Sequence, residues 1–409
     1  MKTERNYPLA TVTDKAARSL RGGHPWVFGE EILSVDGPCE NGGLVDVCSG
    51  KGRYLGTGLY NDHSKIRIRL LSRNANDRFD EAFWARRVHY ALEYRRTVMP
   101  GDDFRCCRLI FGEADHFPGL TVDRFGPVLV AQCLSLGIDR RKDLIFSLIV
   151  RELRAMGEQI DVLYERNDAA LREKEGMPQY KGFYAGEGLR TDERGQVEIC
   201  ENGIRYMVDY VNGQKTGFFL DQKYNRRAAA AIAKGRTVLD CFTHTGAFAL
   251  NCAAAGASRV TAVDVSEEAI AMTRRNAARN GLSNVDFLRA DVFDLLTDLA
   301  NGGQPPYDYI ILDPPAFTKS SATVKNAARG YKEINLKAMR LLPRGGYLAT
   351  CSCSHFMTDP LFRQMLRSAA DDAGVELRQI EARQQAPDHP ILWGVPETDY
   401  LKFYIFQVV

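Results

Sequence analysis

The 409-residue sequence contains no apolar run approaching the roughly 20 residues that a membrane-crossing helix needs, so no membrane partner is expected. Its first residues, MKTERNYPLATVTDK, lack the charged-then-apolar order of a secretion signal, which leaves a cytoplasmic location as the expectation. No tract is low-complexity or collagen-like, and 45% hydrophobic with 26% charged residues is the make-up of a chain that folds throughout. None of the ten cysteines has the paired spacing of a zinc site; they read as reduced thiols, and no metal is expected. A formal net charge of +2 is too small to demand or exclude a polyanionic partner, so any nucleic-acid contact has to be argued from motifs.

What is present is enough chain for two or three cores. From about residue 20 to 73 short strands alternate with glycine: HPWVF, GLVDVCS, GRYLGTGLY and SKIRIRLLS, with Gly52, Gly56 and Gly58 at turns or bulges. DEAFWARRVHYALEYRRTV then has apolar residues at three- and four-residue spacing and reads as a connecting helix. Strands, a helix (DLIFSLIVRELRAMG) and further strands fill 105 to 200, an α+β order. Beyond 205 strands and helices alternate through TVLD, RVTAVD, VDFLRAD, YDYIILD, GYLATCS and KFYIFQV, which predicts an α/β, doubly wound, mostly parallel sheet covered on both faces.

In such a sheet ligands bind beyond the carboxyl ends of the strands. TVLD ends at Asp240 and turns through Cys241-Phe242-Thr243-His244-Thr245-Gly246 into a helix, presenting backbone N–H groups and a glycine to a small ligand. RVTAVD ends at Asp264, 24 residues after Asp240, followed by Val265; a carboxylate there accepts both hydroxyls of a ribose. VDFLRAD ends at Asp291, beside Val292, placed to reach an adenine edge. The plain structural alternative for the three acids is helix capping. A dinucleotide needs G-x-G-x-x-G, and this turn has one glycine where that fingerprint has three. S-adenosylmethionine carries no phosphate and tolerates the fuller turn, so it is the expected cofactor.

YDYIILD runs into Asp313-Pro314-Pro315-Ala316-Phe317, a rigid loop that offers carbonyls, a carboxylate and a ring to a planar base. GYLATCS ends in Cys351-Ser352-Cys353-Ser354; alternation puts both thiols on one face, with Cys353 further toward the carboxyl end. A thiolate is the nucleophile that activates carbon 5 of a pyrimidine, by adding at carbon 6, while Asp313 holds the N3/N4 edge. Upstream, Asn212 to Gln222 combine turn residues, Lys215, Thr216, Phe219 and Asp221 into a segment able to close over the methionine end of the cofactor, or into a plain hairpin with a helix cap.

These motifs carry a family likeness. GHPWVF, YNDHSKIRIR, GEADHFPGLTVDRFG, YERND, GQKTGFFLDQ, DCFTHTGAFAL, DPPAF, RGYKEIN, TCSCSHFM, QAPDHPI and PETDYLK, in this order, make the chain resemble the RlmI-type 23S rRNA (cytosine-5) methyltransferases. The resemblance implies a PUA-like RNA-binding domain over 1–74, an α+β (strand-strand-helix-strand-strand) middle domain over 75–188 and a Rossmann-like methyltransferase domain over 189–409. It also implies Cys353, rather than Cys351, as the nucleophile, Asp313 beside it, and 5-methylcytidine as product.

The cofactor set expected is Lys215, Thr216, Phe219, Asp221, Asp240, Phe242, Thr245, Gly246, Asp264, Val265, Asp291, Val292, Asp313 and Pro314. Lys65, Arg67 and Arg69 alternate with isoleucines and are expected on RNA phosphates, or on the polar face of a strand. Two other readings stay open at this stage: N-methylation of a purine, for which D-P-P-A-F also suits and no thiol is needed, and a non-catalytic RNA-binding or ribosome-assembly protein. A homodimer is admitted, though no residue demands it.

Overall fold

The computed structural model describes residues 6–192, 194–302, 307–318 and 320–409, so the first five residues of the 1–74 span lie outside it. Among the described residues no helix is long and apolar enough to cross a membrane. The chain forms two compact units, one of 1–199, 208–220 and 387–398, the other of 200–207, 221–386 and 399–409.

The first unit holds two sheets. The six-stranded one contains every strand read from the glycine-punctuated stretch, as Trp26–Phe28, Leu44–Ser49, Tyr54–Tyr60 and Ile66–Ser72. It gains Leu9–Val12 and Ile32–Asp36, which sequence reasoning did not find. Gly58 is required by close packing: a Cβ there would stand 2.5 Å from the carbonyl oxygen of Arg69 on the adjacent strand. The five-stranded sheet consists of Cys106–Phe111, Leu120–Phe125, Val128–Cys133, Val162–Asn167 and Tyr180–Phe183, with helix Lys142–Ala155 between the third and fourth strands in the chain. Three strands therefore precede the helix, where the sequence pattern predicts two.

Pro387–Thr398 returns to the first unit. Polar bonds hold it there. The Asp388 carboxylate accepts from Arg108 N at 2.8 Å, its carbonyl accepts from Arg95 Nη2 at 2.9 Å, and Glu397 meets His24 Nε2 at 3.2 Å.

In the second unit the strands are β1 (Thr237–Cys241), β2 (Arg259–Asp264), β3 (Val285–Arg289), β4 (Tyr309–Leu312), β5 (Tyr347–Ser352), β6 (Leu377–Arg383) and β7 (Lys402–Val408). They lie in the order β3-β2-β1-β4-β5-β7-β6, parallel except at β7. All four residues of β4 are buried, as a central parallel strand covered on both faces requires. Helices α1 (Lys223–Ala231), α2 (Ala247–Ala254), α3 (Glu267–Arg279), α4 (Val292–Asn301), α5 (Val324–Leu341) and α6 (Asp359–Ala373) supply the covering layers. One core joins Tyr331 and Ile334 of α5 and Phe362 and Met365 of α6 to Leu239, Ile310 and Leu348 of the sheet.

Candidate active site

The strand order reverses at β1, whose neighbours are β2 and β4, so their carboxyl ends diverge there and open a crevice. Register fixes what lines it. Cys241 stands opposite Val263 and Leu312, and Leu312 stands opposite Thr350. Asp264, Phe242, Asp313 and Cys351, each one step further along, thereby meet at one edge of the sheet.

The turn after β1 is conformationally costly. Phe242, His244 and Gly246 all have positive φ, at 65°, 53° and 87°. Non-glycine residues adopt such angles uncommonly, and at some cost in strain. A Cβ on Gly246 would lie 2.6 Å from Thr273 Cγ2, which closes this position to larger residues twice over. Asp240 is fully buried; its Oδ2 accepts from Thr243 Oγ1 at 2.6 Å and Ala249 N at 2.9 Å. Burial pushes its carboxyl up to about 7. Asp240 Oδ1 and Thr245 Oγ1 are buried without a partner among the described residues. Unsatisfied buried polar atoms are rare and costly, and two on one turn mark a place built for a ligand.

Asp264 accepts backbone bonds from His244 N and Ser266 N, each at 2.9 Å, one per oxygen, which leaves acceptor capacity on both. Beside it Val265 is 64% exposed, an apolar side chain at the surface. Asp291 is the N-cap of α4, accepting from Phe293 N and Asp294 N, so the capping explanation accounts for it. Val292 is buried in the core.

Asp313 follows β4. Its Oδ1 accepts from the Cys351 thiol at 2.9 Å and from Gln222 Nε2 at 3.2 Å. Burial pushes its carboxyl up to about 6, against the opposing pull of the Cys351 bond. Cys351 is itself buried, and burial drives its thiol well above the usual range, so it is a donor here and a poor nucleophile. Cys353, just past the end of β5, is partly exposed. Pro314 is buried and Pro315 exposed. Phe317 packs on Tyr331 with ring centroids 4.6 Å apart.

Asp221 Oδ2 accepts from Tyr400 at 2.6 Å within this unit. Lys215, Thr216 and Phe219 belong to the first unit. There Thr216 is buried and its hydroxyl donates to Asp123 at 2.6 Å, while Lys215 lies 5.6 Å above the Phe219 ring. The expected RNA-binding trio divides. Lys65 is exposed and Arg67 half-buried. Arg69 is 7% exposed and forms a two-pronged pair with Glu175 at 2.8 and 3.1 Å, so its charge is spent inside the fold and is not available to phosphate.

Sequence reasoning missed Gln222, the amide joining Asp313 to Asn225, although it closes the quoted GQKTGFFLDQ stretch. It also missed Lys402, within PETDYLK, which lies opposite Ser352 in the β5–β7 register.

Comparison with known proteins agrees with this geometry. Residues 152–401 match the model of the S-adenosylmethionine-dependent methyltransferase family, and residues 10–73 match a PUA-like domain. The chain is 39% identical to ribosomal RNA large subunit methyltransferase I of Pseudoalteromonas translucida over 393 residues, covering 96% of this chain and 97% of that protein. It is 36% identical to the Klebsiella pneumoniae protein of the same name over 409 residues, covering all of both. Among solved structures, a SAM-dependent methyltransferase from Streptococcus mutans superposes with a TM-score of 0.81 at 22% identity, over 98% of this chain and 100% of that one. A methyltransferase complexed with SAH gives 0.80 at 21%, with the same coverage. These two likenesses concern the fold.

Proposed function

We propose, from the premise that this chain belongs to the S-adenosylmethionine-dependent methyltransferase family, that it methylates carbon 5 of a cytidine in the 23S RNA of the large ribosomal subunit. The observation that carries the reading is Asp313, its carboxyl raised to about 6 and bonded to buried Cys351, beside a second cysteine on the same strand end, Cys353, that is partly exposed.

The residues present fit the cofactor. Asp240 Oδ1 and Thr245 Oγ1 offer unsatisfied buried partners to its polar groups, the Asp264 carboxylate retains acceptor capacity for ribose hydroxyls, and exposed Val265 offers an apolar face to adenine. Phe242 and Gly246 shape the turn. Bound there, S-adenosylmethionine supplies an electrophilic methyl group.

The protein's own groups do the rest. The Cys353 sulfur adds to carbon 6 of the base, which turns carbon 5 into a nucleophile able to take the methyl group; the carbon-5 proton then passes to water, and the electron pair it leaves re-forms the carbon 5–carbon 6 double bond and expels the sulfur as thiolate. Asp313, with its carboxyl pushed up to about 6, carries or withdraws a proton at the N3/N4 edge as the adduct forms. The base must leave its stack to reach Cys353. Lys65 and Arg67 hold phosphates, spans 1–74 and 75–188 act as RNA-binding and middle domains, and the protein works in the cytoplasm. Self-association as a homodimer belongs to the same proposal and is read by sedimentation.

The test is nucleoside mass spectrometry of 23S RNA from a host lacking this activity, after incubation with labelled S-adenosylmethionine and either wild-type protein or Cys353→Ala. Labelled 5-methylcytidine that vanishes in the variant is expected. A labelled N-methylpurine, formed equally by both proteins, would transfer the assignment to amine methylation. No label in any nucleoside would favour the non-catalytic reading.

A further inference from the structure

Lys402 is a buried cation whose nearest bonded partners are uncharged. It opens β7 and stands opposite Ser352 of β5. Only 5% of it is exposed. Its Nζ donates to the carbonyl of Ser354 at 2.6 Å and of Tyr400 at 2.8 Å, and no Asp or Glu forms an ion pair with it among the described residues. Carbonyl dipoles solvate a buried ammonium incompletely, and an uncompensated charge inside a protein is strongly disfavoured. An anion is therefore wanted at this position.

Ser352 and Ser354, the two residues the ammonium brackets, flank Cys353. The charged and titratable groups acting on Lys402 are Asp399, Cys353, Asp359 and Cys351. Asp399 is exposed and takes the Gln384 amide at 3.4 Å, Asp359 takes the Tyr404 hydroxyl, and Cys351 donates to Asp313. On the α5 side the Tyr331 phenol faces Cys353 and accepts from Ser352 Oγ at 3.0 Å. Cys353 is the one of these groups that lies between Ser352 and Ser354, and it is partly exposed.

We propose that Lys402 is a positioning residue whose ammonium is the counter-charge that keeps the Cys353 sulfur as a thiolate; the proposal rests on the reading of Cys353 as nucleophile. In the ionisation the S–H bond breaks, the proton passes to water, and the sulfur keeps the electron pair that later forms the bond to carbon 6. Lys402 keeps its three protons throughout. Burial lowers its ammonium to about 8, which still leaves most of it charged at neutral pH. A neighbouring lysine is an established means of lowering a thiol's pKa.

The test is the pH dependence of Cys353 alkylation by iodoacetamide in the full-length protein, read by mass spectrometry of the Cys353 peptide. The exposed Cys200 serves as internal reference. Cys353 of the wild type is expected to titrate about one pH unit or more below Cys200. Lys402→Met should move the Cys353 midpoint up by about one pH unit and slow its alkylation at pH 7 about tenfold, whereas Lys402→Arg should retain most of the wild-type rate. Calorimetric affinity for S-adenosylmethionine, unchanged across the three proteins, reports an intact fold. A wild-type Cys353 that titrates together with Cys200 overturns the proposal without recourse to any variant, and so does a Lys402→Met midpoint equal to that of the wild type. Turnover by Cys353→Ala reads the nucleophile assignment separately: an active Cys353→Ala with a shifted Lys402→Met midpoint removes the catalytic meaning while the thiolate–ammonium pair stands.

Discussion

The Cys351 thiol donates to Asp313 Oδ1 across the ends of two adjacent strands, 2.9 Å apart. This bond favours the ionised form of Asp313 while burial opposes it, and burial wins, leaving the carboxyl at about 6. The cysteine nearer the sheet core is thus a partner of the acid, while Cys353, two residues on, is partly exposed.

Replacing Cys351 by Ala should therefore act through Asp313. With the donor gone, the Asp313 carboxyl rises further, and the acid limb of the methyl-transfer pH profile should move to higher pH. At pH 8 the loss in kcat should be only a few-fold, with a stability cost of about 1 kcal/mol for the missing hydrogen bond. Cys353→Ala, by contrast, should lose turnover by more than about a thousandfold at every pH. A pH profile of Cys351→Ala that superimposes on the wild type would remove the link between the two residues.

Asp240 makes a prediction about stability. Its folded-state carboxyl, at about 7, lies above the ordinary 3.8. A raised value means that the fold favours the protonated form, so the contribution is complete below about pH 4 and is lost as pH rises through 7. The interval corresponds to at most about 4 kcal/mol. Asp240→Asn is neutral throughout and can keep both bonds that Oδ2 accepts. Urea unfolding should show the variant gaining on the wild type between pH 4 and 7.5, while its affinity for S-adenosylmethionine falls; parallel pH profiles would contradict the buried-acid account.

The parts legible from sequence were those in which one local pattern carries the information. Buried parallel strands are short apolar runs, so β1, β2, β4 and β5 announced themselves, and the acids closing β1, β2 and β4 fell where a crevice was expected. Pairing between distant segments was not legible. Leu9–Val12 is a short strand that lies parallel to Leu44–Ser49, and Lys402 meets the end of β5 only because β7 inserts antiparallel beside it. Arg69 reads as the polar face of a strand until Glu175, 106 residues away, is brought against it. Asp291 was legible as an acid at a strand end, but that pattern is equally the signature of the helix cap it forms.

The Arg69–Glu175 pair separates fold from RNA binding. Arg69→Ala leaves Glu175, 3% exposed, without its counter-charge, which should cost about 3–5 kcal/mol in unfolding free energy. Lys65→Ala should leave stability within about 0.5 kcal/mol and lower RNA affinity, with the salt dependence reduced by about one counterion. Filter binding over a salt series, beside thermal unfolding, distinguishes the two. RNA affinity and salt slope unchanged in Lys65→Ala would take that residue out of the interface.

Gly246 offers a prediction in which two penalties can be separated. Its φ of 87° disfavours any side chain, at roughly 1–2 kcal/mol, and a methyl group would also meet Thr273 Cγ2 at 2.6 Å, an overpacking worth about 1–3 kcal/mol. Gly246→Ala should therefore destabilise the protein and weaken S-adenosylmethionine binding together, because the turn shared with Asp240 and Thr245 has to shift. Thr273→Ser removes the clashing methyl and keeps the hydroxyl, which donates to His244 O at 3.0 Å and Ala269 O at 2.9 Å. Added to Gly246→Ala, it should restore the overpacking part of the loss and leave the backbone part. Unfolding and calorimetric titration of the four proteins in the cycle measure both terms. A double variant no better than Gly246→Ala alone would assign the whole penalty to the left-handed backbone and none to the contact with Thr273.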